Sequence, residues 1–140
     1  MYYLKAENSF DAAHFLSGYE GKCSNLHGHR WRVVVQIKGE QIQQEGQIRG
    51  MLLDFGDLKE EVKALTDVFD HSFIFEKGSL KEKTRQALEE EGFEMHEVDF
   101  RPTAECFAKY FYDAMKQKGF PVHEVTVYET PNNCASYTEK

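Results

Sequence analysis

The stretch that decides the fold runs from residue 23 to residue 37 and reads CSNLHGHRWRVVVQI. From His27 onward, its odd positions carry histidine or apolar side chains as far as Ile37, whereas arginine and glutamine occupy even positions. Alternation with a period of two predicts a β-strand with one buried face. Because side chains two residues apart point to the same side of a strand, His27 and His29 belong to the apolar face.

A second strand is predicted just upstream, between Leu4 and His14. Its even positions are mostly apolar, with lysine, glutamate, serine and aspartate between them. Strands that follow one another in the chain usually pair as neighbours, here antiparallel, which brings His14 beside His27. The three histidines then converge at one end of the hairpin, and the connection over residues 15–26 carries Cys23 over that end.

Converging histidines predict a metal site. A catalytic zinc ion usually has three protein ligands and one open position, whereas a structural zinc ion has four protein ligands. Zinc is the ion that we expect on His14, His27 and His29, although iron or nickel would accept the same ligand type. The role of Cys23 stays open at this point: an inert thiol, a fourth ligand that closes the site, or a general base.

Beyond the hairpin, the pattern predicts further elements in the order ββααββ, with the short surface helix treated as part of a charged insertion near residues 77–99. These elements are a helix over 54–69, a surface helix within 77–97, a helix over 103–117, a strand over 123–129 and a last strand over 134–138. The order indicates an α+β domain, an antiparallel sheet with helices packed on one face.

Composition bounds the classes of function. A chain of 140 residues is one domain, and its formal charge of −7 argues against a general nucleic-acid binder. No apolar run approaches the roughly 20 residues of a membrane helix, and the first residues do not resemble a signal peptide. The 3 cysteines are an odd, sparse set rather than a disulfide framework. We therefore expect a cytoplasmic protein with reduced thiols and no membrane or nucleic-acid partner.

Two further groups could carry chemistry. Asp70 and His71 could form a pair in which the carboxylate orients the imidazole, although a histidine near a helix C-terminus is also favoured by the helix dipole. Glu129 ends an alternation of buried valines, and a buried carboxylate needs a cationic or hydrogen-bonding partner. That partner is either an internal lysine or arginine, or the adjacent N–H groups of a guanidine-like heterocycle.

Six short segments spread over most of the chain form one ordered set: Phe10-Asp11-Ala12-Ala13-His14, Cys23-x-x-x-His27-Gly28-His29, Leu53-Asp54-Phe55, Phe69-Asp70-His71, Pro102-Thr103-x-Glu105 and Tyr128-Glu129-Thr130. In these segments and their order, the chain resembles the family of 6-pyruvoyl-tetrahydropterin and 6-carboxytetrahydropterin synthases. Three residues separate Cys23 from His27, a spacing similar to that of the bacterial 6-carboxytetrahydropterin synthases of queuosine biosynthesis.

The resemblance implies a tunnelling fold whose subunits form a trimeric barrel, and two trimers a homohexamer. It implies one zinc ion per subunit on the three histidines, with Cys23 as the proton acceptor. Asp70 and His71 would be its activating partners across a subunit interface. For Glu129 it implies anchoring of the pterin ring and a catalytic part in the proton relay. The matching Thr103 and Glu105 would line the pterin pocket, although a helix cap and a first-turn acid explain them equally well.

The implied activity is that of a lyase. It would convert 7,8-dihydroneopterin triphosphate to 6-carboxy-5,6,7,8-tetrahydropterin, with release of triphosphate and acetaldehyde. Two alternatives remain: a 6-pyruvoyl-tetrahydropterin synthase, which keeps the side chain, and a non-catalytic pterin-binding protein in which Cys23 closes the zinc site. The candidates for contacts to the triphosphate are Lys22, Arg30, Arg32 and Arg49, which the sequence does not rank.

Overall fold

The computed structural model describes all 140 residues and contains six strands and three α-helices. In chain order these are β1 (Tyr2–His14), β2 (His27–Gly39), α1 (Phe55–Asp67), β3 (Ser72–Glu76), α2 (Glu82–Glu90), β4 (Met95–Val98), α3 (Ala104–Gln117), β5 (Val122–Thr130) and β6 (Asn133–Thr138). A single 3-10 turn, Lys22–Ser24, interrupts the connection between β1 and β2. The strands form one sheet in the order β4-β3-β1-β2-β5-β6.

The predicted hairpin is confirmed in position and register. Strands β1 and β2 pair antiparallel along their whole length, from Tyr2 opposite Gly39 to His14 opposite His27. The apolar positions of both strands are buried and the polar positions between them are more exposed, as the alternation predicts. Because the register is fixed at the histidine end, the three imidazoles start from neighbouring backbone positions.

The expectation of a wholly antiparallel sheet is wrong, because two short strands were not predicted. Strand β3 pairs parallel with β1 through Ala12 and Ser72, and β4 pairs parallel with β3. The segment SFIFE of β3 is a five-residue run that periodicity alone cannot separate from the end of a helix. Helix α2 connects the two parallel strands, as a parallel connection requires. The charged insertion therefore extends the sheet at its edge.

The core lies between one face of the sheet and the two longer helices, α1 and α3. Its largest fully buried side chains are aromatic, among them Phe10, Trp31, Phe107 and Phe111. The rings of Phe107 and Trp31 meet edge to face with centroids 5.1 Å apart, a favoured aromatic geometry. Removing one such ring by a change to alanine costs about 3–5 kcal/mol of folding free energy. The core therefore gives the histidine end of the sheet a rigid base.

Helix α2 departs from the prediction that the helices cover one face. It has no buried residue of its own. Its Leu88 lines an apolar cavity of about 280 Å³ together with Phe93, Ala13 and Phe73. Ala13 and Phe73 alternate with buried neighbours and so point away from the core. None of the helices is both long and apolar enough to cross a lipid bilayer.

Candidate metal centre

Four side chains converge at the end of the β1–β2 hairpin: His14, His27, His29 and Glu129. One ligand atom from each lies within 4.8 Å of the ligand atoms of the others. The histidines stand on the same strand faces as the core, and the ring of Trp31 lies beneath them, with its centroid 4.9 Å from that of His14. The cluster is therefore the polar end of the apolar core, with His14 only 1% exposed.

Backbone carbonyls orient two of the rings. Nδ1 of His14 donates to the carbonyl of Pro102 at 2.7 Å, and Nδ1 of His27 donates to that of Asn25 at 2.7 Å. Since a carbonyl can only accept, each Nδ1 carries the hydrogen of the neutral ring and each Nε2 presents a lone pair. These two Nε2 atoms are 3.1 Å apart. Two lone pairs that face each other repel, and a shared cation would turn that repulsion into binding.

Glu129 approaches the histidines from strand β5. Its Oε1 lies 3.0 Å from Nε2 of His29 and 4.0 Å from Nε2 of His14. This separation is short enough for an ion pair, although the buried Nε2 of His29 has no partner in hydrogen-bond geometry. Two atoms in contact without a shared hydrogen are arranged like neighbouring ligands of one ion.

Burial and neighbouring charges lower the pKa of two rings of the cluster, His14 and His29. Burial lowers the pKa of His14 to about 4, and the nearby His27 and His29 contribute in the same direction. Burial also lowers the pKa of His29, although the Glu129 carboxylate opposes that shift. Neutral imidazoles are the form that binds metal ions, so these pKa shifts favour ligation at neutral pH.

The donor set fits a zinc ion. Tetrahedral zinc with bonds of about 2.0–2.1 Å holds its ligand atoms roughly 3.3 Å apart. The separations of 3.0, 3.1 and 4.0 Å in the cluster lie around that value. The sequence predicts the three histidines but not the place of Glu129 beside them. The signal that could have found it is the run Val125, Val127, Glu129, which puts a carboxylate on a core-facing strand position.

Cys23 lies outside this group of four. It stands half-buried on the 3-10 turn, whose backbone is tied to the end of β1 because the carbonyl of Cys23 accepts from the N–H of Leu16 at 2.8 Å. The fourth group at the metal centre is therefore the carboxylate of Glu129. The alternative in which Cys23 closes a four-ligand site does not correspond to this geometry.

Asp70 and His71 form a hydrogen-bonded pair, with Nδ1 of His71 2.8 Å from Oδ2 of Asp70. The backbone of Asp11 holds both residues: its N–H donates to Oδ1 of Asp70 at 2.8 Å, and its carbonyl accepts from the N–H of His71 at 2.7 Å. These contacts with Asp11 and His71 lower the pKa of Asp70. His71 also has a positive φ of 58°, a strained backbone conformation for this residue type.

The pair and the metal centre belong to opposite faces of the sheet. His71 lines a cavity of about 460 Å³. The cavity lies over the cross-strand pair Ala12 and His29, on the face of the sheet to which Asp11 and Arg30 point. Asp11 and Arg30 alternate with core residues, so this is the outer face. The histidine cluster stands on the inner face, which the helices cover. One chain thus presents the two groups on different sides.

The start of α3 reaches the metal centre through a backbone atom. Thr103 caps the helix, its hydroxyl accepting from the N–H of Cys106 at 3.2 Å, and Glu105 is an exposed acid in the first turn. Neither residue lines the cavities that border His29. The contact that the sequence did not predict is the carbonyl of Pro102, which orients His14.

Two of the four basic candidates lie beside the centre. Arg30 and Arg32 line a cavity of about 470 Å³ that also borders Glu129 and Tyr128. Arg30 is paired with Asp11 at 2.9 Å, and Arg32 is paired with Glu7 at 3.0 Å and stacks over the Tyr128 ring. Lys22 adjoins Cys23 on the 3-10 turn, and Arg49 lies in the connection between β2 and α1, away from that cavity.

Comparison with known proteins gives one consistent result. The family model described as 6-pyruvoyl tetrahydropterin synthase matches residues 3–140. The chain is 34% identical over 142 residues to a protein of Haemophilus influenzae named 6-carboxy-5,6,7,8-tetrahydropterin synthase, an alignment that covers 99% of this chain and 100% of the relative. A relative of the same name in Synechocystis is 34% identical over 121 residues, covering 79% and 94% of the two chains.

Solved structures show the same fold. An uncharacterised protein of Wolinella succinogenes superposes with a TM-score of 0.80 at 21% identity, covering 99% of this chain and 98% of that one. The 6-pyruvoyl tetrahydropterin synthase of Plasmodium vivax superposes with a TM-score of 0.72 at 22% identity over the same shares. The predicted tunnelling fold is thereby confirmed, with the mixed sheet described above.

Proposed function

The chain belongs to the 6-pyruvoyl tetrahydropterin synthase family, and we propose that it is a zinc-dependent 6-carboxy-5,6,7,8-tetrahydropterin synthase of queuosine biosynthesis. The substrate is 7,8-dihydroneopterin triphosphate, and the products are 6-carboxytetrahydropterin, triphosphate and acetaldehyde. The observation that carries the proposal is the convergence of three imidazoles, two of them oriented by backbone carbonyls, in a chain whose full-length relative has this name.

In the proposed mechanism, His14, His27 and His29 hold the zinc ion. When bound there, the ion supplies Lewis acidity to the oxygens of the substrate side chain and makes the adjacent carbon-bound protons more acidic. His14 is held as a neutral ring at neutral pH, since burial lowers its pKa to about 4. The part of the three histidines is to present three fixed lone pairs at one point.

Cys23 is the proposed general base. Its backbone tie to Leu16 keeps the thiol near the end of β1, two residues beyond His14. The thiolate of Cys23 can accept a proton from the substrate side chain and return it at a later step. The triphosphate leaves by elimination. Addition of one water molecule to the side chain and cleavage of its carbon–carbon bond then release acetaldehyde and leave the carboxyl group on the ring.

Asp70 and His71 are the proposed partners of that thiol. Because they stand on the outer face of the sheet, they would serve the metal centre of a neighbouring subunit. The proposed assembly is a homohexamer of two trimers, built through the sheet edges. Strands β4 and β6 at these edges each have one free side on which another chain can pair.

Glu129 is the proposed anchor of the pterin ring. A carboxylate can accept from the two adjacent N–H groups of the pterin with both oxygens, which fixes the orientation of the ring. Such orientation lowers the barrier by holding the side chain over the reacting groups. Thr103 and Glu105, at the start of α3, are also proposed to contact the pterin, although neither lines the cavity beside Glu129 in this chain. Arg30 and Arg32 are the basic candidates that line the same cavity as Glu129.

The compartment that we propose is the cytoplasm. The thiols of Cys23, Cys106 and Cys134 are all unpaired. A general base of this type works only as a free thiol, and a reducing compartment keeps it free.

Two other functions have an observation in their favour. The family description and the fold are shared with 6-pyruvoyl-tetrahydropterin synthases, which would yield the 6-pyruvoyl product. A non-catalytic pterin-binding protein is favoured by the carboxylate of Glu129, which gives the metal centre a fourth protein group.

Product analysis separates the three functions. The zinc-loaded, reduced protein is incubated with dihydroneopterin triphosphate, and the products are identified by mass spectrometry. We expect 6-carboxytetrahydropterin and acetaldehyde. A 6-pyruvoyl product would assign the chain to the other branch, and the absence of turnover with zinc present would support the binding protein.

A further inference from the structure

We propose that Glu129 is a displaceable fourth ligand, which closes the metal centre at rest and leaves it when the pterin binds. The inference rests on the proposed function, because the pterin is the group that draws the carboxylate away. It gives Glu129 two successive positions instead of one.

The geometry of the resting centre places the carboxylate among the ligand atoms. Oε1 of Glu129 lies 3.0 Å from Nε2 of His29 and 4.0 Å from Nε2 of His14. The contact with His29 is not a hydrogen bond. A metal ion bound by the three imidazoles would therefore meet Oε1 in its coordination sphere, without any movement of the chain.

The Glu129 carboxylate has no ion pair with an arginine or a lysine. Arg30 and Arg32 line the same cavity as Glu129, but their guanidinium groups are paired with Asp11 and Glu7. The only charged or chargeable partners within 4.0 Å of the Glu129 carboxylate are the two histidines. A half-buried carboxylate without arginine or lysine requires compensation, and a cation at the histidines supplies it.

The side chain of Glu129 can move out of the cluster, whereas His14 is fixed in place. His14 is 1% exposed and hydrogen-bonded to a carbonyl, whereas the side chain of Glu129 is 28% exposed. Glu129 also stands at the end of β5, where the register with β6 shifts between Tyr128 and Thr130. A cavity of about 470 Å³, bordered by Tyr128 and Thr130, adjoins the carboxylate and can accept it.

The two roles exclude each other at any one moment. A carboxylate that accepts two N–H groups of a pterin uses both oxygens, so Oε1 has to leave the fourth position. Nothing is oxidised or reduced in this exchange. With an ion held by the three histidines, Oε1 would give up the fourth position to an oxygen of the substrate side chain, and Glu129 would gain two hydrogen bonds to the pterin. The open position that a catalytic zinc requires is thus created by the substrate.

The test uses cobalt in place of zinc, because its visible absorption reports the ligands directly. The whole protein is loaded with cobalt and titrated with azide, a small anion that binds only at an open position. We expect the wild-type spectrum to stay unchanged over a range in which the Glu129→Ala protein shifts, with an apparent azide affinity at least tenfold higher in the variant. Glu124→Ala removes another acid of β5 that is not in the cluster, and should behave like wild type.

Displacement is measured separately with 7,8-dihydroneopterin, whose binding to the wild-type protein is followed by calorimetry. We expect binding to change the cobalt spectrum, because the pterin draws Glu129 away from the fourth position. Equal azide responses of wild type and Glu129→Ala would overturn the proposal, as would dihydroneopterin binding with an unchanged spectrum. If Glu129→Ala loses cobalt or fails to fold, Glu129→Asp, which withdraws the carboxylate by one carbon, replaces it with the same expected azide response.

The azide experiment needs no pterin, so it separates the two proposals. A protein that does not turn over dihydroneopterin triphosphate, yet shows the expected azide difference, contradicts the proposed activity and supports closure by Glu129. A protein that turns the substrate over, yet binds azide equally with and without Glu129, keeps the activity and contradicts closure.

Discussion

The inner and outer faces of the sheet carry two polar groups that are built in different ways. On the inner face, His14, His27 and His29 end the aromatic core, and carbonyls of the backbone orient two of the rings. On the outer face, Asp70 and His71 are 37% and 79% exposed and hold each other. The four side chains of the inner group all come from one chain. The cavity beside His71 on the outer face is lined by only one of those four residues, His29.

This difference shows how a small domain divides a site. A metal centre needs ligand atoms fixed within a few tenths of an ångström, and a packed core provides that rigidity. In the proposed mechanism, the hydrogen-bonded pair Asp70 and His71 would activate a thiol of another subunit, and for that role it needs only to lie at the surface on which that subunit docks. We therefore expect changes at the inner face to abolish the centre, and changes at the outer face to leave it intact.

The largest expected effect is the loss of a ligand. His29→Ala removes one of the three imidazoles, and we expect zinc affinity to fall by at least about 100-fold, more than the loss typical when only a hydrogen-bonding partner of a ligand is removed. Turnover should disappear with the metal. Chelator competition and metal analysis measure the affinity. His96→Ala, which removes a histidine of β4 paired only with Glu94, is the matched control and should keep its zinc.

The next effect concerns the thiol. Cys23→Ala should lower turnover by about 10²–10⁴-fold, the usual range for a general base, and leave zinc content unchanged, since Cys23 is not in the cluster. Single-turnover kinetics and metal analysis make the comparison. Cys134→Ala changes an exposed cysteine of β6 and serves as control. Near-normal turnover of Cys23→Ala contradicts the general-base role.

The smallest effect is on stability at the outer face. Hydrogen bonds from Asp11 and His71 lower the pKa of Asp70, so its carboxylate stabilises the folded protein above the unfolded pKa of about 3.9, and this contribution is lost as the pH falls through the lower folded pKa. Asp70→Asn should cost up to about 1 kcal/mol at pH 7, a value limited by solvent exposure.

Urea unfolding at pH 7 and near pH 3 tests this dependence. The difference in free energy of unfolding between wild type and Asp70→Asn should shrink at the lower pH, while zinc binding at pH 7 should not change. A difference that stays the same at both pH values would mean that the carboxylate charge contributes nothing.

The hairpin and the three histidines were predictable because one pattern, the alternation of apolar and polar residues, identifies both strands and the face on which the histidines lie. When β1 and β2 pair as neighbours through a short connection, His14 comes to lie opposite His27. The caps Asp54 and Thr103 were equally local, since each side chain accepts from an N–H two or three residues ahead.

Strands β3 and β4 were not predictable, because their extended conformation depends on pairing with the edge of the sheet and not on a local sequence pattern. Ser72–Glu76 is too short for periodicity, and Met95–Val98 lies in a charged segment. The position of Glu129 also depends on a tertiary relation: β5 pairs with β2 in a register that no local pattern fixes. The separation of Asp70 and His71 from the metal centre likewise follows only from the sheet order.

The most direct test of this account asks whether the two faces work together across subunits. The Cys23→Ala and His71→Ala proteins, each inactive alone and each containing zinc, are unfolded together, refolded as a mixture and assayed with dihydroneopterin triphosphate. If the site is shared, random assembly joins an intact Cys23 with an intact His71 in about a quarter of the sites, and that fraction of wild-type activity returns. If the pair acts within its own chain, no site contains both residues and the mixture stays inactive.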